Sequence, residues 1–76
     1  DFKYNDETYE LRIDNPELIE ISEVHVFDLS GKLVQTHTDI PLQKQNILTI
    51  NPVGASVYIV KLITADGNRN KKFIMK

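Results

Sequence analysis

The sequence predicts an all-β fold: a small antiparallel β-sandwich of about six to seven strands. Three observations carry that expectation. Apolar residues recur at every second position through most of the chain, the period of a half-buried strand and not the 3.6 of a helix. Turn-forming pairs such as Asn15-Pro16, Asn51-Pro52 and Asp66-Gly67 punctuate it at short intervals. Helix signals are nearly absent, with a single turn over residues 16–20 the most on offer. Seventy-six residues, 41% hydrophobic and 26% charged, make one domain spanning 1–76 that should fold rather than stay disordered. A domain of this size buries only about 60% of the surface its unfolded chain exposes, so its stability is expected near the low end of roughly 5–15 kcal/mol.

Taken in order, Tyr9, Leu11 and Ile13 alternate with Glu10 and Arg12 in a strand that Asn15-Pro16 ends. Ile19 and Ile21 resume the pattern, Ser22-Glu23 interrupts it, and Val24 and Val26 continue it on either side of His25, facing the same core. Alternation returns from Leu33 to Thr38, followed by Ile40-Pro41-Leu42, where the proline limits any strand to a sheet edge. Ile47-Leu48-Thr49-Ile50 is short and closed by Asn51-Pro52. The strongest strand, Val57-Tyr58-Ile59-Val60-Lys61-Leu62-Ile63-Thr64, is β-branched and aromatic on both faces and is expected at the centre of its sheet. Asp66-Gly67 then turns the chain into a return strand over Lys72-Phe73-Ile74-Met75, so the last twenty or so residues form a hairpin.

Asp28-Leu29-Ser30-Gly31 has the chemistry of a type I turn. Aspartate at the first position accepts from the backbone N–H two residues on, and glycine at the fourth takes φ > 0 at little cost. A hairpin between residues 24–28 and 32–36 follows, with Gly31 as the left-handed residue of a bulge. Any side chain at 31 should strain it by roughly 1–2 kcal/mol.

Charge is segregated along the chain. Residues 1–39 carry ten acids against three bases, a net of −7, and residues 40–76 carry one acid against six bases, a net of +5. Pairing strands from the two halves are expected to interleave and compensate these charges internally. The basic cluster Lys71, Lys72 and Lys76, with only Phe73 to stack, is weaker than the stripe of a nucleic-acid binder, so no nucleic-acid partner is expected. No apolar run approaches 18 residues and Asp1-Phe2-Lys3 opens no signal peptide, so no direct membrane insertion is expected and the chain is either soluble or a piece of something larger. The absence of cysteine fits the cytosol and bacterial secretion equally.

Converging chemistry is sparse. His25 and His37 would approach each other across the 24–36 hairpin, but two imidazoles fall short of a zinc site. Ser22, Ser30 and Ser56 lack a His and an acid at motif spacing, which leaves no catalytic residue to nominate. Asp6, Glu7, Glu10, Asp14, Glu17, Glu20 and Glu23 alternate with apolar positions as a solvated face does, and no Asp-x-Asp-x-Asp-Gly loop offers a calcium site; neither metal nor cofactor is expected. Phe2, Tyr4, Tyr9, Phe27, Tyr58 and Phe73 offer the rings of a sugar-stacking platform, but without tryptophan and with Tyr58 and Phe73 at core-like positions, packing is the better account of them.

Three stretches are more specific in combination. Asp28-Leu29-Ser30-Gly31-Lys32-Leu33-Val34, Val57-Tyr58-Ile59-Val60-Lys61-Leu62 and Lys71-Lys72-Phe73-Ile74-Met75-Lys76 come in the order and spacing of a known family. The chain resembles the type A C-terminal sorting domain of the type IX secretion system, the Por secretion family of Bacteroidetes, over roughly residues 20–76. Each stretch alone is weak, whereas the ordered triple is specific.

The resemblance implies an immunoglobulin-like sandwich that is recognised and performs no reaction. Precursors of this kind enter the periplasm by a signal peptide and are exported through the type IX translocon with an outer-membrane shuttle protein. A sortase-like signal peptidase then typically removes the domain, leaving the N-terminal cargo at the cell surface or in the medium. By position, Asp28, Gly31 and Lys32 match the turn motif, Tyr58 and Val60 the central strand, and Lys71, Lys72, Phe73, Ile74 and Lys76 the terminal signal strand. An edge strand of alternating cations and apolar side chains suits a receptor, and it equally deters aggregation; the resemblance favours the receptor. Two departures stand out. The Pro-Asn-Pro segment common before the first strand is missing, which implies a trimmed N-terminal element. Ser56 replaces the glycine before the Val-Tyr pair, with Gly54 two residues earlier. The alternative is an adhesive or carbohydrate-binding sandwich appended to a surface enzyme, with Tyr4 or Tyr9 at its site.

Overall fold

Alternating strands of this kind each bury one face, and seven of them do so here in two antiparallel sheets of a computed structural model that describes residues 1–50 and 56–75. The smaller sheet holds β1 (Phe2–Asn5), β2 (Glu10–Asp14) and β5 (Gln45–Thr49) in the order β1-β2-β5. The larger holds β3 (Ile21–Phe27), β4 (Leu33–His37), β6 (Ser56–Thr64) and β7 (Gly67–Met75) in the order β4-β3-β6-β7. The chain changes sheet after β2, β4 and β5, the exchange of an immunoglobulin-like sandwich with its fourth strand added to the second sheet.

The core follows from alternation. Phe2, Leu11 and Ile13 from one sheet meet Ile21, Val24, Val26, Tyr58, Val60 and Leu62 from the other, with Ile50 beside them, and all are buried. Each fully buried aliphatic side chain contributes about 1.5–3 kcal/mol relative to exposure. The Tyr4 hydroxyl donates to the Ile50 carbonyl at 2.9 Å, and burial, then the charges of Tyr9 and Asp6, raise its phenol above the usual range. Among the described residues, no buried side-chain polar atom lacks a partner.

β6 lies between β3 and β7, as its two-sided apolar pattern predicts. The interruption at Ser22-Glu23 is a bulge: Ile21 opposes Thr64 and Glu23 opposes Ile63, leaving Ser22 unpaired in the ladder, with its hydroxyl donating to the Ile63 carbonyl at 3.1 Å.

Several expectations fail for local reasons. β1 precedes the first strand foreseen, because Phe2-Lys3-Tyr4 is too short a run to show a period. Tyr9 is no strand residue; it takes φ 60° in the turn before β2 and is exposed, while its carbonyl accepts from Ile50 N–H. Residues 16–20 make a single hydrogen-bonded turn and no helix, Leu18 N–H donating to the Asn15 carbonyl at 3.1 Å; the side chain of buried Asn15 holds the segment further, accepting from Ile19 N–H at 3.0 Å and donating to the Ile19 carbonyl at 2.8 Å. Ile40-Pro41-Leu42 is loop, not edge strand: Ile40 packs on the core, and the Pro41 carbonyl accepts from the buried Asn46 amide at 3.0 Å. The return strand is nine residues long, starting at Gly67 (φ 114°) and not near Lys72. Asn51-Pro52, Gly54 and Lys76 lie outside the described residues.

Candidate functional site

β7 is built by its neighbours. It pairs with β6 from Thr64↔Gly67 to Ser56↔Met75, and its other side is an open sheet edge among the described residues. Strand alternation divides its side chains. Lys71 and Phe73 oppose the buried Val60 and Tyr58 and turn inward; Lys72 and Ile74 oppose Ile59 and Val57 and turn outward.

The inward pair ties β7 to β1 across the sandwich. Phe73 meets Phe2 edge-on at 5.9 Å between ring centroids and Tyr4 at 6.2 Å. Lys71 Nζ donates to the Phe2 carbonyl at 3.0 Å and lies 5.8 Å and 5.6 Å from the Phe2 and Phe73 centroids. It also stands 3.5 Å from Asp1 Oδ1, an exposed pair of little energetic weight. The outward pair has no such ties: Ile74 is 65% exposed, and Lys72 enters no ion pair among the described residues.

The Asp28 turn takes the geometry its sequence requires. Asp28 Oδ1 accepts from Ser30 N–H at 2.9 Å, from the Ser30 hydroxyl at 2.6 Å and from Lys32 N–H at 3.0 Å. The Ser30 hydroxyl, then the Lys32 amide, hold the carboxyl below its usual value. Gly31 has φ 86°; its N–H donates to the Asp28 carbonyl while Asp28 N–H donates to the Lys32 carbonyl, so two residues oppose one as in a glycine bulge. Lys32 thus enters the turn through its backbone and leaves its side chain exposed. A second irregularity follows: Val26 opposes Gln35 but Phe27 opposes Leu33, which turns Val34 toward the core and Leu33 out.

The residues singled out in the sequence therefore do not form one cluster. Tyr58 and Val60 are buried core, Asp28, Gly31 and Lys32 shape a turn, and Lys71 and Phe73 lock β7 to β1. Lys72 and Ile74 alone among the described terminal residues face outward; Lys76 lies outside the description. The sequence did not reveal the part of Asp1 and Phe2, since nothing in it announces that β1 lies over β7.

Two further expectations need correction. His25 and His37 do not approach each other: His37 opposes buried Val24 and shares the inner face, whereas His25 opposes Lys61 on the outer face and bonds Glu23 at 3.0 Å. Charge compensation between the halves is also slight. Of the ion pairs among the described residues, Arg12–Asp14 and His25–Glu23 lie within the acidic half, and Lys71–Asp1 alone joins the two. Of the aromatic residues, Phe2 and Tyr58 are buried and Tyr4 and Phe73 pack against the core, so these four form no sugar platform, whereas Tyr9 is exposed. No group of three or more metal-ligating side chains converges among the described residues.

A family model described as a secretion system C-terminal sorting domain matches residues 5–76. No curated protein matches the chain.

Proposed function

We propose, from the premise that the chain belongs to the secretion system C-terminal sorting domain family, that its outward-facing terminal strand is the part of the signal that a receptor reads. Membership makes the chain a type IX sorting signal for an N-terminal cargo bound for the cell surface or the extracellular space, in a family that is generally non-catalytic. The finer steps are our reading. The domain crosses the periplasm folded, engages an outer-membrane shuttle protein and the translocon, and is then removed by a sortase-like signal peptidase.

One observation carries the choice of strand. β7 is an open edge that is anchored inward by Lys71 and Phe73, so Lys72 and Ile74 are held outward in a fixed register. Tyr58 and Val60 support that strand from the core, and Asp28, Gly31 and Lys32 set the turn of the β3–β4 hairpin, which lies beyond β6 in the same sheet. Lys76 extends the same basic and apolar alternation.

The test is export of a reporter fused ahead of residues 1–76 in a type IX-competent bacterium. The intact domain should send it to the surface or medium, and Lys72→Glu with Ile74→Asp should leave it in the periplasm while the chain melts at its usual temperature. A reporter that stays periplasmic behind the intact domain removes the proposal.

A further inference from the structure

The outer face of the larger sheet departs from what a two-layer sandwich needs. Outward positions of such a sheet are normally polar, and β2 obeys, presenting Glu10, Arg12 and Asp14. β6 does not. Its outward positions are Val57, Ile59, Lys61 and Ile63, half-buried and with no further strand layer over them among the described residues. In register with Ile59 stand Phe27 and Leu33 on one side and Lys72 on the other, so an apolar row crosses three strands and ends in a cation. Exposed Ile74, opposite Val57, extends the row. The apolar character that marks β6 as central thus exceeds what centrality requires.

Charge separates this face further. Lys61 and Lys72 enter no ion pair among the described residues, and the one carboxylate on the face, Glu23, is bonded to His25. The two cations that this face displays are therefore left without a carboxylate partner among the described residues. Beside Lys72 the surface dips into a shallow concavity of about 300 Å³ lined by Ile59, Asn70, Lys71 and Lys72.

We infer that the receptor's footprint covers this whole outer face, from Leu33 on β4 to Ile74 on β7, and that the receptor meets it with an apolar protein surface edged by carboxylates. The inference rests on the export reading and enlarges it from one ribbon to four strands. A second copy of the chain fits poorly, since stacking two such faces sets Lys61 and Lys72 against like charges. A membrane fits poorly as well, because Phe27 and Ile59 sit half-buried in the sheet instead of protruding from it.

The decisive variant avoids β7 altogether. Leu33→Glu with Lys61→Glu, both outward on other strands, should lower export of the fused reporter by about tenfold or more, as reversed charge against a complementary surface does. Lys3→Glu with Lys44→Glu should leave it within about twofold, because these sites lie off that face. Thermal melting of the purified 76-residue chain establishes that each variant folds; should Leu33→Glu unfold it, Lys61→Glu alone carries the measurement. Normal export of the Leu33/Lys61 variant beside failure of the Lys72/Ile74 variant overturns the inference and leaves the export reading intact. Failure of the unaltered fusion removes the reading itself. A dimer of the purified chain that Lys61→Glu dissolves gives the face to a second copy, and Lys61-dependent binding to phosphatidylglycerol vesicles gives it to a membrane; either result also overturns the inference.

Discussion

The two faces of the four-stranded sheet carry similar apolar residues to opposite ends. On the inner face Tyr58, Val60 and Leu62 are buried against the smaller sheet, and Phe73 closes over Phe2. On the outer face Val57, Ile59 and Ile63 stand at the intervening positions with no layer above them among the described residues. Neighbours in sequence, one rung apart, thus serve stability on one side and, in the reading proposed above, recognition on the other. A hydrophobic strand pattern by itself does not distinguish the two; only the number of layers does.

The sharpest way to break that contrast is a pair of adjacent truncations on β6. Leu62→Ala opens a cavity in the core and should cost about 3 kcal/mol, a large share of what a chain of this size has. Ile63→Ala, its outward neighbour opposite Glu23 and Asn68, should cost under about 1 kcal/mol. Urea denaturation of the two variants measures both, and equal losses would mean that the outer face is packed after all.

Lysines on β7 repeat the contrast with charge. Lys71→Met gives up the bond to the Phe2 carbonyl and the contacts with two rings, a loss of about 1 kcal/mol; the exposed pair with Asp1 adds little. Lys72→Met should move stability by no more than about 0.5 kcal/mol. Export should respond in the reverse order, falling further for Lys72→Met. If stability and export fall together at both positions, the division of β7 into an anchoring face and a read face is mistaken.

How much of this was legible in the sequence differs between the faces for physical reasons. Period-two alternation identified β2, β3 and the core positions Leu11, Ile13, Val24 and Val26, because burial of one face is written into every second residue, whereas β6 with Tyr58 was identified by its unbroken β-branched and aromatic run. The Asp28-to-Gly31 turn was legible too, since it depends on side chains within four residues of one another. What depends on packing between distant segments was not. The short β1 carries no period, so the role of Phe2 in holding Lys71 and Phe73 could not be seen. The sequence places His37 with His25 because the second bulge, which shifts the register between Val26 and Phe27, leaves no mark in composition. Likewise the +5 half suggests neutralisation by strand pairing, yet among the described residues Lys71 alone of its cations reaches an acid.

The smallest effect concerns the turn that assigns residues to faces. Asp28 gathers Ser30 and Lys32, and the register that follows brings Leu33 outward and Val34 inward. Its carboxyl is held below the ordinary value of 3.8, first by the Ser30 hydroxyl and then by the Lys32 amide. A depressed folded value means that the folded state binds fewer protons than the unfolded chain as pH falls toward that range. The carboxylate's contribution is therefore complete above the ordinary value and is lost as pH falls through the lower, folded one. Asp28→Asn keeps one acceptor oxygen but no charge, so it should melt slightly below the parent chain at neutral pH, with the gap closing in acid below about pH 4. Melting curves of both proteins across the acid range measure it. A gap that stays constant down to the lowest pH would show that the turn uses the oxygen's position and not its charge.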